Sequence, residues 1–344
     1  MAPSSPIPLH PAVPTSLGLG TYLGRPDAAG DAGYEAAARR FLALGGTAFD
    51  TAANYRLGRS ERALGRALAG VPRDRIFVST KAGYLPMSDG ETEEAPAVWF
   101  DRVLRRPGIL RDEDIVDGCH GMTPRYLAHQ LEVSRRALGM ETLDLFHLHN
   151  PEQQRPALGP DRFDAALSAA FEACEGFRAE GKIRAYGIAT WNGLRNSPDE
   201  PDHLDLEALW RAAERIGGRD HGFRWIQAPL NLGMPEAFLA PTQAVGGQRM
   251  TLLEAAQALG LSVQTSASIL QGRLLRSVAE QQELLAEALP GCATPAQLAL
   301  QFTRSCPGVT TALCGMGRAA HVDENAAVMA LPKADPATLW ALFA

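Results

Sequence analysis

Ala48-Phe49-Asp50-Thr51-Ala52-Ala53-Asn54-Tyr55 decides how this chain is read, because a short apolar strand ends there in an acid with a phenol just beyond it. Two later apolar runs also end in titratable groups. Ile76-Phe77-Val78-Ser79-Thr80 runs into Lys81, and Leu143-Asp144-Leu145-Phe146-His147-Leu148 runs into His149. Strands of a parallel sheet that end alike place their last residues on one rim, so Asp50, Tyr55, Lys81 and His149 are expected to meet there.

Outward from that stretch, eight strand-like runs recur: Leu17–Thr21, Thr47–Thr51, Ile76–Lys81, Leu143–His149, Ile183–Thr190, Trp225–Asn231, Leu261–Ser268 and Val309–Gly315. Amphipathic helical stretches separate them: Ala32–Leu44, Ser60–Leu68, Pro124–Leu138, Phe163–Glu180, Leu204–Ile216, Leu252–Leu259, Pro295–Arg304 and His321–Met329. Such alternation is the signature of successive βα units, and eight of them predict a (β/α)8 TIM barrel. Thr123-Pro124 and Thr294-Pro295 read as an N-cap followed by proline in the first turn, where its missing N–H costs nothing. Gly139, Gly181 and Gly260 stand where helices should stop.

A barrel of this kind takes about 250 residues. The surplus of a 344-residue chain is expected in a long insertion over residues 82–122 after the third strand, a shorter one from Trp191 to His203, and a C-terminal extension over Pro332–Ala344. These three segments are expected to set specificity. Residues 1–14 read as a loose arm and 15–344 as a single domain.

Composition narrows the function. A formal charge of -6 without a basic run argues against a nucleic-acid surface. No run reaches membrane-spanning length and no positively charged leader precedes the first strand. Five cysteines, an odd number with no C-x-x-C pair, read as reduced thiols. The expectation is a cytoplasmic protein, a monomer or weak homo-oligomer, acting on a small molecule.

Asp50, Tyr55, Lys81 and His149 suit one task. A phenol titrating near 10 is a poor acid at neutral pH, and an ammonium beside it stabilises its anion. Lys81 supplies that cation, Asp50 holds it charged and oriented, and His149 hydrogen-bonds the substrate oxygen. The product is a proton donor aimed at a carbonyl oxygen. Taken singly, each residue has a blander role: Asp50 as a loop cap, Lys81 as a solvated terminus or Schiff-base lysine, His149 as a satisfied core imidazole.

Together these stretches resemble the aldo-keto reductase superfamily. Phe49-Asp50-Thr51-Ala52-Ala53-Asn54-Tyr55 with Gly58, Ser60-Glu61 and Leu64-Gly65 is similar to its aspartate and tyrosine signature, Ser79-Thr80-Lys81 to its lysine strand, and Leu148-His149-Asn150-Pro151 to its histidine segment. The resemblance implies a monomeric barrel that binds NADPH, with NADH as the alternative, and passes hydride between nicotinamide and an aldehyde, ketone or sugar-like alcohol. It makes Tyr55 the general acid or base. It also implies cofactor contacts at Gly20 and Thr21 in the first-strand turn, at Asp50, at Thr190 and Gln227 for the carboxamide, and at Ser266 where many relatives carry a stacking tyrosine. Gln271, Gly272 and Leu274 would lie beneath the pyrophosphate, and Gly315, Gly317, Arg318 and His321 along the adenosine phosphate. Glu324 and Asn325 would read the adenine.

Tyr22, Trp99, Asn150 and Trp191 are the substrate-side candidates, Trp99 and Trp191 because they lie on catalytic-face loops; Trp191 is also the candidate for the missing ring stack. His147, two residues before His149, should share its side of the sheet, as an inward polar group or as core. Arg102, Arg105 and Arg106 read as a solvated face, Trp210, Trp225 and Trp340 as packing residues. Cys119 and His120 lack partners at zinc spacing, so no metal is assigned. Two competing functions remain: a non-catalytic cofactor-binding regulatory barrel, and a cofactor-free aldolase or isomerase using Lys81 as nucleophile. The second needs a depressed lysine pKa, which Asp50 should oppose.

Overall fold

A computed structural model describes residues 13–91 and 94–344, so the predicted arm over 1–14 falls almost wholly outside the described residues. Eight strands form the closed barrel: β1 (Leu17–Gly20), β2 (Ala48–Asp50), β3 (Phe77–Ala82), β4 (Leu143–His149), β5 (Ile183–Ala189), β6 (Phe223–Pro229), β7 (Ser262–Ser266) and β8 (Val309–Gly315). All pair in parallel, and β1 closes the ring by pairing with both β2 and β8. The predicted TIM barrel is therefore present.

Local chemistry ends the helices as expected. Thr123 accepts from the Tyr126 N–H and Thr294 from the Gln297 N–H, each with proline next in the first turn, while Gly139 closes its helix in the left-handed conformation. Thr251 and Glu254 form a reciprocal capping box.

Two-residue alternation sorts each strand into an outward and an inward face. Leu17, Leu19, Phe49, Val78, Phe146 and Ile188 are buried in the large core between barrel and helices. Phe77, Leu145, Ala185 and Trp225 form a separate apolar plug inside the barrel, with the Phe77 and Trp225 rings 5.1 Å apart. Above the plug the same inward positions turn polar: Ser79, His147, Gln227 and Gln264 are all buried. Lys81 and His149 crown these columns at the C-terminal ends of β3 and β4.

The insertion is a small lobe in its own right. A helix over Pro96–Phe100 continues into a widened turn over Asp101–Arg105. Leu85, Trp99, Phe100, Leu104, Leu110 and Tyr126 form its private core. Arg102, Arg105 and Arg106 pair on its surface with Glu94, Asp112 and Asp101, a solvated face as read from sequence. A hairpin over Gln243–Val245 and Gln248–Met250 and a final helix over Pro336–Ala341 were not expected. Among the described residues no helix is long and apolar enough to cross a membrane.

Candidate active site

Asp50, Lys81, His149 and Tyr55 converge at the C-terminal mouth of the barrel. Asp50 Oδ2 accepts from Lys81 Nζ at 2.6 Å, and Lys81 also donates to the Thr51 carbonyl at 2.9 Å. Asp50 Oδ1 accepts from Ser79 Oγ at 2.7 Å and from Gln227 Nε2 at 3.0 Å. Gln227 Nε2 also donates to Gln264 Oε1, which lies 3.2 Å from His147 Nε2. The polar middle layer thus holds the carboxylate from below. His147 is an inward polar group of that layer, the first of the two roles open to it.

Tyr55 stands on this base. The Lys81 ammonium lies 4.9 Å from the centre of its ring, His149 meets it edge-on at 5.8 Å, and Tyr22 at 4.9 Å. Asp50, Tyr55, His149 and Tyr22 line a cavity of about 610 Å³, together with Gly20, Thr21, Asn54, Tyr84 and Asn150, and Lys81 lies beneath its wall. Backbone strain collects around it: among the described residues, non-glycine positive φ occurs at Arg56 and Leu57 beside Tyr55, at Asn150 beside His149, and at Ala267, Leu270 and Gln271 beyond β7, with Asp117 the exception. Such conformations cost energy and persist where a site requires them.

Two protonation expectations change. Burial, reinforced by Asp50, Tyr22 and Tyr84, pushes the Tyr55 phenol well above its ordinary value, so in the free protein it keeps its proton and is not acidified by Lys81. Burial also pulls the Lys81 ammonium below the usual lysine range against the opposing pull of Asp50. For Lys81 desolvation outweighs the partner, whereas for Tyr55 burial and its charged and phenolic neighbours push the same way. Burial, with help from the Lys81 charge, holds the His149 imidazole well below its usual range, which keeps it neutral. His149 Nδ1 is sealed off without a partner, leaving Nε2 as the nitrogen that faces the cavity.

His120, from the insertion, sets the end of β4. Its Nε2 lies 2.7 Å from the His149 carbonyl and must donate to it, while Gln154 donates to Nδ1 at 3.0 Å. Gly83 makes room: at φ +154 a Cβ there would stand 2.5 Å from that carbonyl. Among the described residues no group of three His, Cys, Asp or Glu side chains is placed to hold a metal ion, and Cys119, Cys174, Cys292, Cys306 and Cys314 are free thiols.

The barrel interior carries its own pH signature. Burial, then the Lys81 charge, lowers the His147 imidazole to about 4. Its folded value lies below its unfolded one near 6.5, so the unfolded chain binds the proton first and stability is lost as pH falls from about 6.5 to 4. The loss is on the order of 3 kcal/mol for this residue. Glu61 and Glu152, raised by burial, act in the opposite sense. Comparison with His147→Gln cancels them: the urea stability of wild type relative to the variant should fall by that amount across the window. A constant difference would refute the assignment.

Of the remaining predicted residues, Trp191, Ser266, Gln271 and Gly315 line the cavity. Thr190 does so too, but its hydroxyl donates to Glu152 Oε1 at 2.7 Å and accepts from the Gly193 N–H. Its one proton is spent, so it is no donor to a carboxamide. Trp99 is 4% exposed in the core of the insertion and not at the cavity, a correction to its substrate role. The Leu274 side chain is a member of the main core. Gly272, at φ +85, does not line the cavity.

Gly317, exposed Arg318 and exposed His321 lie beyond β8, outside the cavity. Glu324 accepts from Thr294 Oγ1, and buried Asn325 reaches toward Cys314 with its Oδ1 unpartnered. No residue of Pro332–Ala344 lines the cavity; Trp340 packs on Phe238 at 4.4 Å. The C-terminal extension therefore does not shape the site as expected. Sequence reasoning missed Tyr84, whose ring meets His149 edge-on at 5.0 Å, and Gln264, Ser268 and Glu152. Only Gln264 carried a signal, two residues before Ser266 on an alternating strand.

A family model described as the Aldo/keto reductase family matches residues 16–196. The chain belongs to this family. Over 160 residues it is 36% identical to a Pseudomonas sp protein named D-threo-aldose 1-dehydrogenase, covering 46% of this chain and 44% of that one. Over 113 residues it is 33% identical to aldo-keto reductase AMT2 of Alternaria alternata, covering 31% and 29% respectively. The chain thus spans less than half the length of these curated relatives. The crystal structure of an aldo/keto reductase from Klebsiella pneumoniae in complex with NADP and acetate is alike in fold, at 24% identity and a TM-score of 0.63, with 95% of this chain and 89% of that one covered. In this member of the family, the folded insertion after β3 brings His120 to the catalytic-face end of β4.

Proposed function

We propose that the protein is a nicotinamide-dinucleotide-dependent oxidoreductase acting on an aldehyde, a ketone or a sugar-like alcohol, with Tyr55 as the proton-transferring group. The observation that carries this is that Asp50, Tyr55 and His149 line one cavity with Lys81 paired to Asp50 beneath its wall. The family membership and the Pseudomonas relative's name support it, the latter favouring an aldose among the candidate substrates.

A bound dinucleotide would supply or accept the hydride. The cavity suits one: Ser268 Oγ is buried at its wall without a partner. Both amide hydrogens of Gln227 are engaged by Asp50 and Gln264, which leaves its oxygen to accept from a carboxamide. Ser266, Gln271 and Gly315 would complete the cofactor side. On the substrate side, Tyr55 presents a protonated hydroxyl and His149 a neutral ring nitrogen, two groups able to hydrogen-bond one carbonyl oxygen. Lys81 attracts the phenolate as it forms. Its Nζ is held between Asp50 and Thr51 and does not line the cavity, which disfavours the nucleophilic lysine of an aldolase. An intact tetrad likewise disfavours a non-catalytic barrel.

Titrating intrinsic tryptophan fluorescence with NADPH and NADH tests the cofactor assignment. Quenching by at least one is expected, and quenching by neither removes the reading. Arg318 is the candidate for a 2′-phosphate, since a guanidinium forms paired charge-assisted bonds with phosphate. Arg318→Ala should weaken NADPH about tenfold and leave NADH unchanged. Equal effects on both would deny Arg318 that role.

A further inference from the structure

Glu152 is a buried carboxylate with no part in the proton transfer proposed above. It stands three residues after His149, in the short turn Pro151–Gln154, and is 4% exposed. Its Oε1 gathers the start of the loop that follows β5: the Thr190 hydroxyl at 2.7 Å, the Trp191 N–H at 2.8 Å and the Asn192 N–H at 3.2 Å. The Thr190 hydroxyl in turn accepts from the Gly193 N–H at 2.8 Å. Oε2 is buried and has no partner. A carboxylate taken out of water with one oxygen unsatisfied is costly, and the return is a loop whose first three N–H groups all have acceptors.

That loop presents Trp191. The indole is 40% exposed, yet it lines the cavity that also contains Tyr55 and His149. A large aromatic at a half-open mouth finds no orientation from core packing. Its backbone N–H is instead fixed by a carboxylate carried on the segment that leaves His149, so one element ties the end of β4 to the aromatic wall beside it. Tyr22 and Tyr84 line the same cavity, giving it flat apolar faces around the polar tetrad.

We propose that Glu152 is a positioning residue that fixes the Thr190–Gly193 turn and thereby holds Trp191 as a wall against which the carbonyl substrate presents a flat apolar face, such as an aromatic ring or the C–H face of a sugar ring. The ligand half of this rests on the proposed function; the loop half does not. In amide hydrogen exchange of the wild-type protein, the N–H groups of Trp191, Asn192 and Gly193 exchange slowly. Glu152→Ala speeds them about tenfold, whereas Glu152→Gln, which keeps an acceptor oxygen, largely restores protection. Fast exchange in the wild type, or no change in Glu152→Ala, overturns the proposal without any need for turnover.

In steady-state kinetics with an aromatic aldehyde such as 4-nitrobenzaldehyde, Glu152→Ala and Trp191→Ala each raise KM about fivefold with kcat kept within about twofold. The double variant is no worse than Trp191→Ala. A fall in kcat with KM unchanged, or multiplying effects in the double variant, places Glu152 outside the Trp191 wall and refutes the assignment. Absence of turnover in the wild type, with the exchange pattern as described, fails the proposed function and leaves the loop anchor standing. If Glu152→Ala does not fold, the wild-type exchange and the Glu152→Gln and Trp191→Ala kinetics still decide: Glu152→Gln keeps a KM near wild type while Trp191→Ala raises it.

Discussion

Tyr55→Phe is expected to lower turnover by about a hundredfold to ten-thousandfold, the range that a positioned proton donor contributes, while nucleotide affinity changes by less than about twofold. Only the hydroxyl is removed. The ring contacts with Tyr22, His149 and Lys81 involve the aromatic face and edge, and these remain in phenylalanine. Folding should therefore be unaffected, and near-neutral stability of the variant is part of the expectation. Because burial keeps the phenol protonated in the free protein, the reductive direction starts from the competent form across the neutral range. The oxidative direction needs the phenolate and should gain as pH rises. A variant with full activity would assign the proton to another group.

Lys81→Met should be the most destabilising of the site substitutions, by about 3–5 kcal/mol in urea unfolding. The methionine fills the space of the lysine stem but leaves the Asp50 carboxylate buried without its cation, satisfied only by Ser79 and Gln227. Adding Asp50→Asn should recover part of that loss, since the uncompensated charge is then gone. Neither variant should turn over. If Lys81→Met is as stable as wild type, the 2.6 Å pair does not anchor the barrel mouth.

The sequence disclosed what depends on short-range periodicity. Strand ends at Asp50, Lys81 and His149, the helix caps at Thr123 and Thr294 and the count of eight βα units follow from residues adjacent in the chain. What it withheld depends on partners far apart. Gln264 reaches Ser79 across 185 residues, and Glu152 captures the Thr190 hydroxyl across 38. No local pattern announces that the one proton of Thr190 is already committed.

Trp99 misled for a related reason. An aromatic on a catalytic-face insertion looks like a ligand contact, but an insertion of this length must bury apolar surface of its own, and Trp99 is spent on that core with Phe100 and Leu104. Among the described residues of the insertion only Tyr84 lines the cavity, while His120 acts behind it on the His149 carbonyl. The Tyr55 phenol shows the limit of reading charge from neighbours in a motif. Lysine beside tyrosine suggested acidification, and burial reversed the sign.

Hydride transfer itself is the most direct test of the central claim. The protein is incubated with NADPH carrying deuterium at both C4 positions and, in parallel, with NADH labelled in the same way, together with 4-nitrobenzaldehyde, and the benzyl alcohol formed is analysed by mass spectrometry. One deuterium at the former carbonyl carbon, with at least one of the two nucleotides and lost in Tyr55→Phe, is the predicted result. Unlabelled alcohol, or none with either nucleotide, would contradict the account.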